Sequence, residues 1–170
     1  IIILYNPSDG QELGRVELPA QPLSGNPWLP AGSTRGAGLG QATRARFGGI
    51  RLLGFTPPDP VALHAPGDRL ALTLLWQAGA WADNDLRLQV TLEGLSAPLV
   101  EAPVGGSYPY TRWAKGQAVR QTLRMDLPGD LAPGSYRLLL RVIQDGRPVA
   151  WSRGIIPGGS DLGLGTLVVE

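Results

Sequence analysis

Cysteine is absent from the sequence, which excludes disulfide bonds, thiolate metal sites and cysteine nucleophiles. Histidine occurs once, as His64, and a Ser–His–Asp hydrolase would need this residue beside a serine in a sharp turn. No Gly-x-Ser-x-Gly motif, the usual signature of such a turn, occurs in the chain. His64 precedes the turn residues Pro66–Gly67–Asp68, a position typical of a structural or exposed histidine.

Long apolar runs and an excess of one charge are also lacking. No run reaches the roughly 18 residues that a membrane-spanning helix needs, and no signal peptide is recognisable. The net charge is +1 and the basic residues are scattered along the chain, so we expect no nucleic-acid partner. The chain begins Ile1–Ile2–Ile3–Leu4 without a methionine, and we interpret it as part of a longer protein. We expect contact with a membrane only through other parts of that protein, and no cofactor.

Glycine and proline, in contrast, are abundant, with 24 and 16 residues in a chain of 170. They lie between the apolar runs and therefore predict turns that separate many short strands. A chain of this length is sufficient for one domain with a sizeable core, which would bury roughly 70% of the unfolded surface.

Two neighbouring segments carry the clearest strand pattern. Residues 86–93 alternate apolar and polar side chains: Leu86, Leu88, Val90 and Leu92 against Arg87, Gln89, Thr91 and Glu93. Because side chains of a strand repeat with a period of two, the apolar set shares one face and the other face is in water. Residues 68–77 place four large apolar side chains on one face: Leu70, Leu72, Leu74 and Trp76. Trp76 is expected to be the large core residue of a central strand.

Weaker strand patterns extend over the rest of the chain. Residues 1–5 and 12–18 flank a turn sequence and predict an N-terminal hairpin. Residues 44–55 resume β character, with Gly48–Gly49 as a bulge or bend. Asp145–Gly146 predicts a two-residue type I′ hairpin turn.

Together these patterns predict an all-β protein, an antiparallel two-sheet sandwich that is immunoglobulin-like or jelly-roll-like, with about nine or ten strands. Residues 1–42 are expected to form the N-terminal hairpin and a linker rich in glycine and proline. Residues 43–170 are expected to form the sandwich domain.

The candidate binding residues are aromatic side chains that fall in predicted loops: Trp81, Tyr108, Tyr110 and Trp113. Sugar rings stack on such aromatic faces, and polar neighbours would bond the sugar hydroxyls: Asp83, Arg112 and Gln117. The alternative interpretation is that Tyr110 and Trp113 fold over the open end of the sandwich, where each would bury about 150–250 Å².

An acidic cluster, Asp83–Asn84–Asp85, follows the first central strand. Alternate carboxylates in a turn bind Ca²⁺ through hard oxygens, so Asp83 and Asp85 are a weak calcium candidate. Both residue types also favour this position simply as turn formers. A separate set of carboxylates from which a glycosidase pair could be drawn is Glu93, Glu101, Asp126 and Asp130, although the sequence singles out no pair.

Four phrases of the sequence, taken in order, resemble a known domain: Phe47–Gly48–Gly49–Ile50–Arg51–Leu52–Leu53–Gly54–Phe55, then Pro66–Gly67–Asp68 running to Leu75–Trp76, then Tyr108–Pro109–Tyr110–Thr111–Arg112–Trp113 with Gly116, and Leu127–Pro128 running to Pro133–Gly134–Ser135–Tyr136. This order resembles the β-sandwich domain at the C-terminal, extracytoplasmic end of some bacterial multi-pass membrane proteins. Those proteins are similar to family 39 glycosyltransferases, the protein-mannosyltransferase-like group. The resemblance covers about residues 44–153, and the N-terminal hairpin resembles a small preceding segment of the same proteins.

In such proteins the catalytic acids belong to the membrane portion. The resemblance therefore implies a non-catalytic, outward-facing domain of a bacterial membrane or cell-surface protein, and it brings no active-site residues. We expect an accessory domain that holds or presents a glycan or a protein partner, or that serves as a plain spacer. The two alternatives are a carbohydrate-binding module that uses the loop aromatics and a small sandwich hydrolase that uses a carboxylate pair.

Overall fold

The computed structural model describes residues 2–5, 12–16, 28–29, 40–59, 61–79 and 86–170, and in the first three of these ranges it describes the backbone alone. The strands are β1 (Ile2–Tyr5), β2 (Glu12–Val16), β3 (Trp28–Leu29), β4 (Gln41–Phe47), β5 (Ile50–Phe55), β6 (Leu63–His64), β7 (Arg69–Ala78), β8 (Leu86–Leu92), β9 (Val100–Pro103), β10 (Ala118–Asp126), β11 (Gly134–Gln144), β12 (Arg147–Val149), β13 (Trp151–Arg153), β14 (Ile156–Pro157) and β15 (Asp161–Val169). A three-residue 3-10 helix, Tyr110–Arg112, lies between β9 and β10. Ten of these strands have four or more residues, in agreement with the predicted nine or ten.

The strands form two large sheets and one hairpin. The seven-stranded sheet has the order β14-β13-β4-β5-β7-β10-β3, and the six-stranded sheet has the order β6-β15-β11-β8-β9, with β12 paired to β11. The hairpin β1–β2 is antiparallel, as predicted from the turn sequence between its strands. The predicted all-β, two-sheet sandwich is therefore confirmed.

The core lies between the two large sheets and contains the residues on which the prediction rested. Trp76 is fully buried, and its ring meets Phe47 edge-on with the ring centroids 6.2 Å apart. From the opposite sheet, Leu88 and Val90 of β8 and Leu140 of β11 are also fully buried. Burial of such side chains supplies about 1.5–3 kcal/mol each, which makes this single core the main source of stability.

The hairpin turn at Asp145–Gly146 is confirmed. Both residues have positive φ, 50° and 74°, and they connect Gln144 of β11 to Arg147 of β12, as a type I′ turn requires. The backbone of Asp145 tolerates this region because a short polar side chain carries little steric penalty there.

Gly48–Gly49 were predicted to form a bulge or a bend, and the structure shows the bend. They reverse the chain between β4 and β5, and Phe47 pairs with Ile50 across them. Gly48 alone has a positive φ, 55°, which is the pattern of a type II′ turn. Two glycines in an apolar run satisfy a bulge and a bend equally well, so the sequence left both alternatives open.

Two further details depart from the expected pattern. The segment predicted as a linker contributes β3, which pairs with β10, and the expected boundary between residues 42 and 43 falls inside β4. The two-residue strand β6 pairs with β15 in parallel, so the sheets are not wholly antiparallel. The division into an N-terminal unit and a sandwich stays a prediction.

Candidate functional site

The loop of residues 104–117 between β9 and β10, here called the aromatic loop, turns back into the molecule because of its glycines. Gly105 and Gly106 have φ values of 87° and 63°, so the chain reverses directly after β9. Pro109, with φ near −64°, then leads into the 3-10 helix, and the Trp113 backbone N–H donates to the Tyr110 carbonyl at 3.0 Å. These turns point Tyr110 and Trp113 inward.

Tyr110 and Trp113 are parts of the core. Their side chains are 3% and 1% exposed, and the rings meet edge to face with centroids 5.2 Å apart. The Tyr110 hydroxyl donates to the Gly49 carbonyl at 2.8 Å, which ties the loop to the β4–β5 turn. A sugar ring cannot stack on buried rings, so the prediction that Tyr110 and Trp113 form a binding platform is wrong, and the alternative of a cap over the sandwich end is correct.

The other predicted binding residues have separate positions. Tyr108 is half-buried, and its hydroxyl donates to the Arg112 carbonyl at 2.7 Å, while its own carbonyl accepts from the Trp113 indole at 2.9 Å. Arg112 has an exposed side chain. Gln117 closes the loop, because its side-chain oxygen accepts from the Ala114 N–H at 2.8 Å. These contacts stabilise the loop itself, and no stacking surface results from them.

Trp81, Asp83 and Asp85 lie outside the described residues, so their predicted roles stay predictions. Within the part of the chain that the structure describes, no group of three or more His, Asp or Glu side chains is arranged to hold a metal ion. The described residues also contain no helix with the length and apolar composition of a membrane span.

Sequence reasoning missed Gln121, the one polar side chain that is buried among the described residues, at 5% exposure. Its side-chain oxygen accepts from the Trp76 indole N–H at 3.2 Å and from the Gly105 N–H at 2.9 Å. Its amide nitrogen donates to the Pro103 carbonyl at 2.9 Å. Gln121 belongs to the seven-stranded sheet and Pro103 to the six-stranded one, so this side chain joins the two sheets beside the aromatic loop.

The candidate carboxylates are dispersed over the surface. Glu101 of β9 lies opposite Gln89 of β8, and Glu93 comes four residues after Gln89, which corresponds to roughly 13 Å of extended chain. That separation exceeds the roughly 5–9.5 Å between the two acids of a glycosidase. Asp126 ends β10 in the opposite sheet, and Asp130 lies in an exposed turn.

Three carboxylates, Glu101, Asp126 and Asp161, each accept a hydrogen bond from an arginine. Hydrogen bonds from Gln89 and from the Arg87 Nε, at 2.9 and 2.6 Å, lower the pKa of Glu101. A hydrogen bond from the Arg69 Nε at 2.8 Å likewise lowers the pKa of Asp126.

The third carboxylate, Asp161, forms a bidentate pair with Arg141. The Arg141 guanidinium donates to the two carboxylate oxygens at 2.7 and 2.9 Å, and these hydrogen bonds lower the pKa of Asp161. A general acid of a glycosidase needs the opposite shift, since it must keep its proton at neutral pH.

His64 lines a cavity of about 220 Å³ at one end of the sandwich. Its Nδ1 lies 3.9 Å from Asp68 Oδ2, and its buried Nε2 has no hydrogen-bond partner among the described residues. Apolar side chains such as Met125 and Leu167 form much of the wall, and no serine belongs to the lining. A Ser–His–Asp arrangement is therefore not assembled in this cavity.

A second, larger cleft of about 420 Å³ lies on the outward face of the seven-stranded sheet. Three of the six residues that line it are arginines: Thr43, Arg44, Arg46, Arg51, Leu53 and Gly154. The arginines are exposed, whereas Ala45, Phe47 and Ile50 between them point into the core. Sequence reasoning missed this cleft, since the three arginines come together only once β4 and β5 are recognised as a hairpin.

No protein-family model and no curated protein matches the sequence. Among solved structures, a Niemann-Pick type C2 protein from the Japanese carpenter ant is similar with a TM-score of 0.42 and 8% identity, over 76% of this chain and 95% of that one. The C-terminal domain of wzt is similar with a TM-score of 0.41 and 13% identity, over 78% of this chain and 81% of that one. Neither similarity assigns an activity or a ligand to this chain.

Proposed function

We propose that this chain is a non-catalytic accessory domain of a larger protein, whose role is to hold or present a partner rather than to transform it. The observation that carries the proposal is the state of its carboxylates. Glu101 and Asp126 are hydrogen-bonded to arginines that favour their ionised forms, and they belong to different sheets. A retaining or inverting glycosidase requires two facing acids with opposed pKa values, and Glu101 and Asp126 do not meet this requirement.

The aromatic loop supports the same proposal. Its largest side chains, Tyr110 and Trp113, are buried and hydrogen-bonded within the chain, so the loop contributes rigidity to the sandwich end. The partner, which we propose to be a glycan or a protein, therefore binds elsewhere on the surface. Trp81 remains the aromatic candidate for a carbohydrate-binding module.

The absence of catalysis is tested by incubating the chain with a panel of β- and α-linked glycans and measuring the release of reducing ends. We expect no release above the buffer baseline from the wild type. Release that disappears in Glu101→Gln or Asp126→Asn would overturn the proposal, because those variants change one hydrogen-bonded carboxylate each and leave the core intact.

We further propose that the parent protein is a bacterial membrane or cell-surface protein that carries this domain on its extracytoplasmic side. The support is the resemblance of phrases in this sequence to the proteins similar to family 39 glycosyltransferases; the resembling residues include parts of β5, β7 and the aromatic loop. The test is protease treatment of intact spheroplasts that express the parent protein with a tag in the exposed turn at Gly129. We expect cleavage from outside; protection of the tag until the cells are lysed contradicts this location.

A further inference from the structure

We propose that the cleft formed by Arg44, Arg46 and Arg51 is a binding site for a phosphate group. Arg46 and Arg51 lie directly opposite each other in the β4–β5 register, so their Cβ atoms are about 4.5–5.5 Å apart. Like charges in this position repel each other. An arrangement that brings two permanent cations together on one face is stabilised when an anion lies between them.

The charge of this cleft is not neutralised within the described part of the chain. Arg69, Arg87, Arg137 and Arg141 form ion pairs with carboxylates, whereas Arg44, Arg46 and Arg51 form none with a described residue. Guanidinium groups keep their charge at all physiological pH values, so Arg44, Arg46 and Arg51 present three positive charges to the solvent in the cleft.

Protection of a sheet edge does not explain these arginines. Exposed edge strands often carry charged residues that prevent pairing with other chains. Here β5 lies between β4 and β7, and β13 pairs with β4 at Arg46 and Phe47, so Arg46 and Arg51 do not lie on an open edge. The charges therefore need a different explanation.

The backbone of β4 is also shaped for this cleft. The β4–β5 register shifts between Ala42 and Ala45, so Thr43 and Arg44 form an irregularity of the kind that redirects side chains beside binding sites. The Thr43 hydroxyl accepts a hydrogen bond from the Ala45 N–H at 3.2 Å, which leaves its own proton available as a donor to a ligand. Gly154, with φ of 62° in the β13–β14 turn, lines the same cleft without adding a side chain.

The number of donors favours phosphate over a carboxylate. One guanidinium satisfies a carboxylate in a two-pronged arrangement, whereas a phosphate group offers three or more oxygens and up to two negative charges. Three arginines and a hydroxyl match the phosphate better in both respects. The volume of about 420 Å³ leaves room for the rest of a ligand, since small-molecule sites occupy roughly 300–1,000 Å³.

The phosphate could belong to a soluble phosphorylated compound or to a lipid headgroup. Ile155, adjacent to Gly154, is fully exposed, and Ile156 is 64% exposed. An apolar tip beside a basic cleft is the arrangement that meets an anionic lipid surface. The experiment therefore includes one arm for each source.

The first arm is isothermal titration calorimetry of the full chain with inorganic phosphate and with a hexose 1-phosphate at low ionic strength. We expect saturable binding that Arg46→Gln and Arg51→Gln each weaken by about tenfold or more, the effect of one lost charge-assisted hydrogen bond. Arg124→Gln is the matched control, because Arg124 is an exposed arginine of the same sheet outside the cleft. It should change the affinity by less than about twofold, the size of a screened long-range effect.

The second arm is co-sedimentation with vesicles of phosphatidylglycerol, compared with vesicles of phosphatidylcholine. Binding that is lost in Arg46→Gln and weakened in Ile155→Ser identifies a lipid headgroup as the source of the phosphate. Calorimetric binding that is unaffected by Ile155→Ser identifies a soluble compound. The proposal is overturned if neither arm shows saturable binding, or if Arg124→Gln weakens binding as much as Arg46→Gln does.

Discussion

Trp76 donates its indole N–H to the side-chain oxygen of Gln121 at 3.2 Å, inside the core of the sandwich. The same oxygen accepts from the Gly105 N–H, and the amide of Gln121 reaches the Pro103 carbonyl. A buried amide that forms hydrogen bonds costs little, whereas a buried partner that loses its bond, here the Trp76 indole N–H, is expensive to leave unpaired. Gln121 therefore fixes the start of the aromatic loop against the largest side chain of the core.

Gln121→Ala should lower the free energy of unfolding by about 1–3 kcal/mol, because it leaves the buried Trp76 indole N–H without its partner and removes two part-buried hydrogen bonds, to Gly105 and Pro103. Urea denaturation monitored by tryptophan fluorescence measures this change. The control is Arg124→Ala on the same strand, whose exposed side chain should affect stability by about 0.5 kcal/mol or less. A Gln121→Ala variant as stable as this control would mean that the hydrogen bonds contribute nothing.

Gly105 and Gly94 provide a matched pair of glycine substitutions. Both have left-handed backbones, with φ of 87° and 90°, so alanine at either position is strained to a similar degree. A Cβ at Gly94 would meet nothing within 4 Å, whereas a Cβ at Gly105 would lie 2.5 Å from Trp113 Cζ2 and against the Tyr108 carbonyl oxygen. We expect Gly94→Ala to cost about 1 kcal/mol and Gly105→Ala clearly more. Equal losses in thermal or urea unfolding would show that the loop does not pack against this glycine.

The Arg141–Asp161 pair predicts a pH dependence of stability. Arg141 lowers the pKa of Asp161 below its unfolded value, which is near 3.9. The pair therefore stabilises the fold fully above about pH 4, and this contribution is lost as the pH falls through the lowered folded value. Since both side chains are about one third exposed, Asp161→Asn should cost roughly 0.5–1 kcal/mol at neutral pH.

The measurement is urea unfolding of the wild type and of Asp161→Asn between pH 7 and pH 2. The difference between the two proteins should shrink below about pH 4. Asp130→Asn, in an exposed turn and without an ion pair among the described residues, is the control and should leave a smaller difference throughout. A difference for Asp161→Asn that stays constant over the whole range would contradict the assigned role of the ion pair.

Arg51→Gln should raise stability in phosphate-free buffer, because it removes the repulsion from Arg46 across the β4–β5 pair. Cross-strand pairs of this kind are worth about 0.2–1 kcal/mol. Arg124→Gln removes an arginine that faces Ala71 instead, and it should change stability less. A loss of stability in Arg51→Gln would show that another group already neutralises the cleft.

The strands could be predicted where apolar side chains occupy every second position of the sequence. The alternation over Leu86 to Leu92 and the burial of Trp76 followed directly from a period of two. Gly48–Gly49 could not be assigned in the same way, since the apolar residues on both sides fit one long strand or two short ones.

The hydrogen-bond network around Gln121 could not be predicted in full because its members are distant in the sequence. Gln121 lies on the inward file between Val119 and Leu123, and a polar residue in that file was a usable signal of a buried hydrogen-bond network. Its partners at Pro103 and Gly105 are visible only in three dimensions. For Tyr110 and Trp113, a loop position suggested exposure, whereas the glycine turns around them direct the rings into the core.

The burial of Tyr110 and Trp113 makes the aromatic loop a structural cap of the sandwich. The most direct test of this structural role is a titration of neutral glycans monitored by tryptophan fluorescence, combined with urea unfolding, on the wild type and on Trp113→Ala. We expect no saturable shift that depends on Trp113, together with a loss of about 3–5 kcal/mol of stability in the variant, the cost of removing a buried tryptophan. A saturable shift in the wild type that disappears in an equally stable Trp113→Ala would contradict the account.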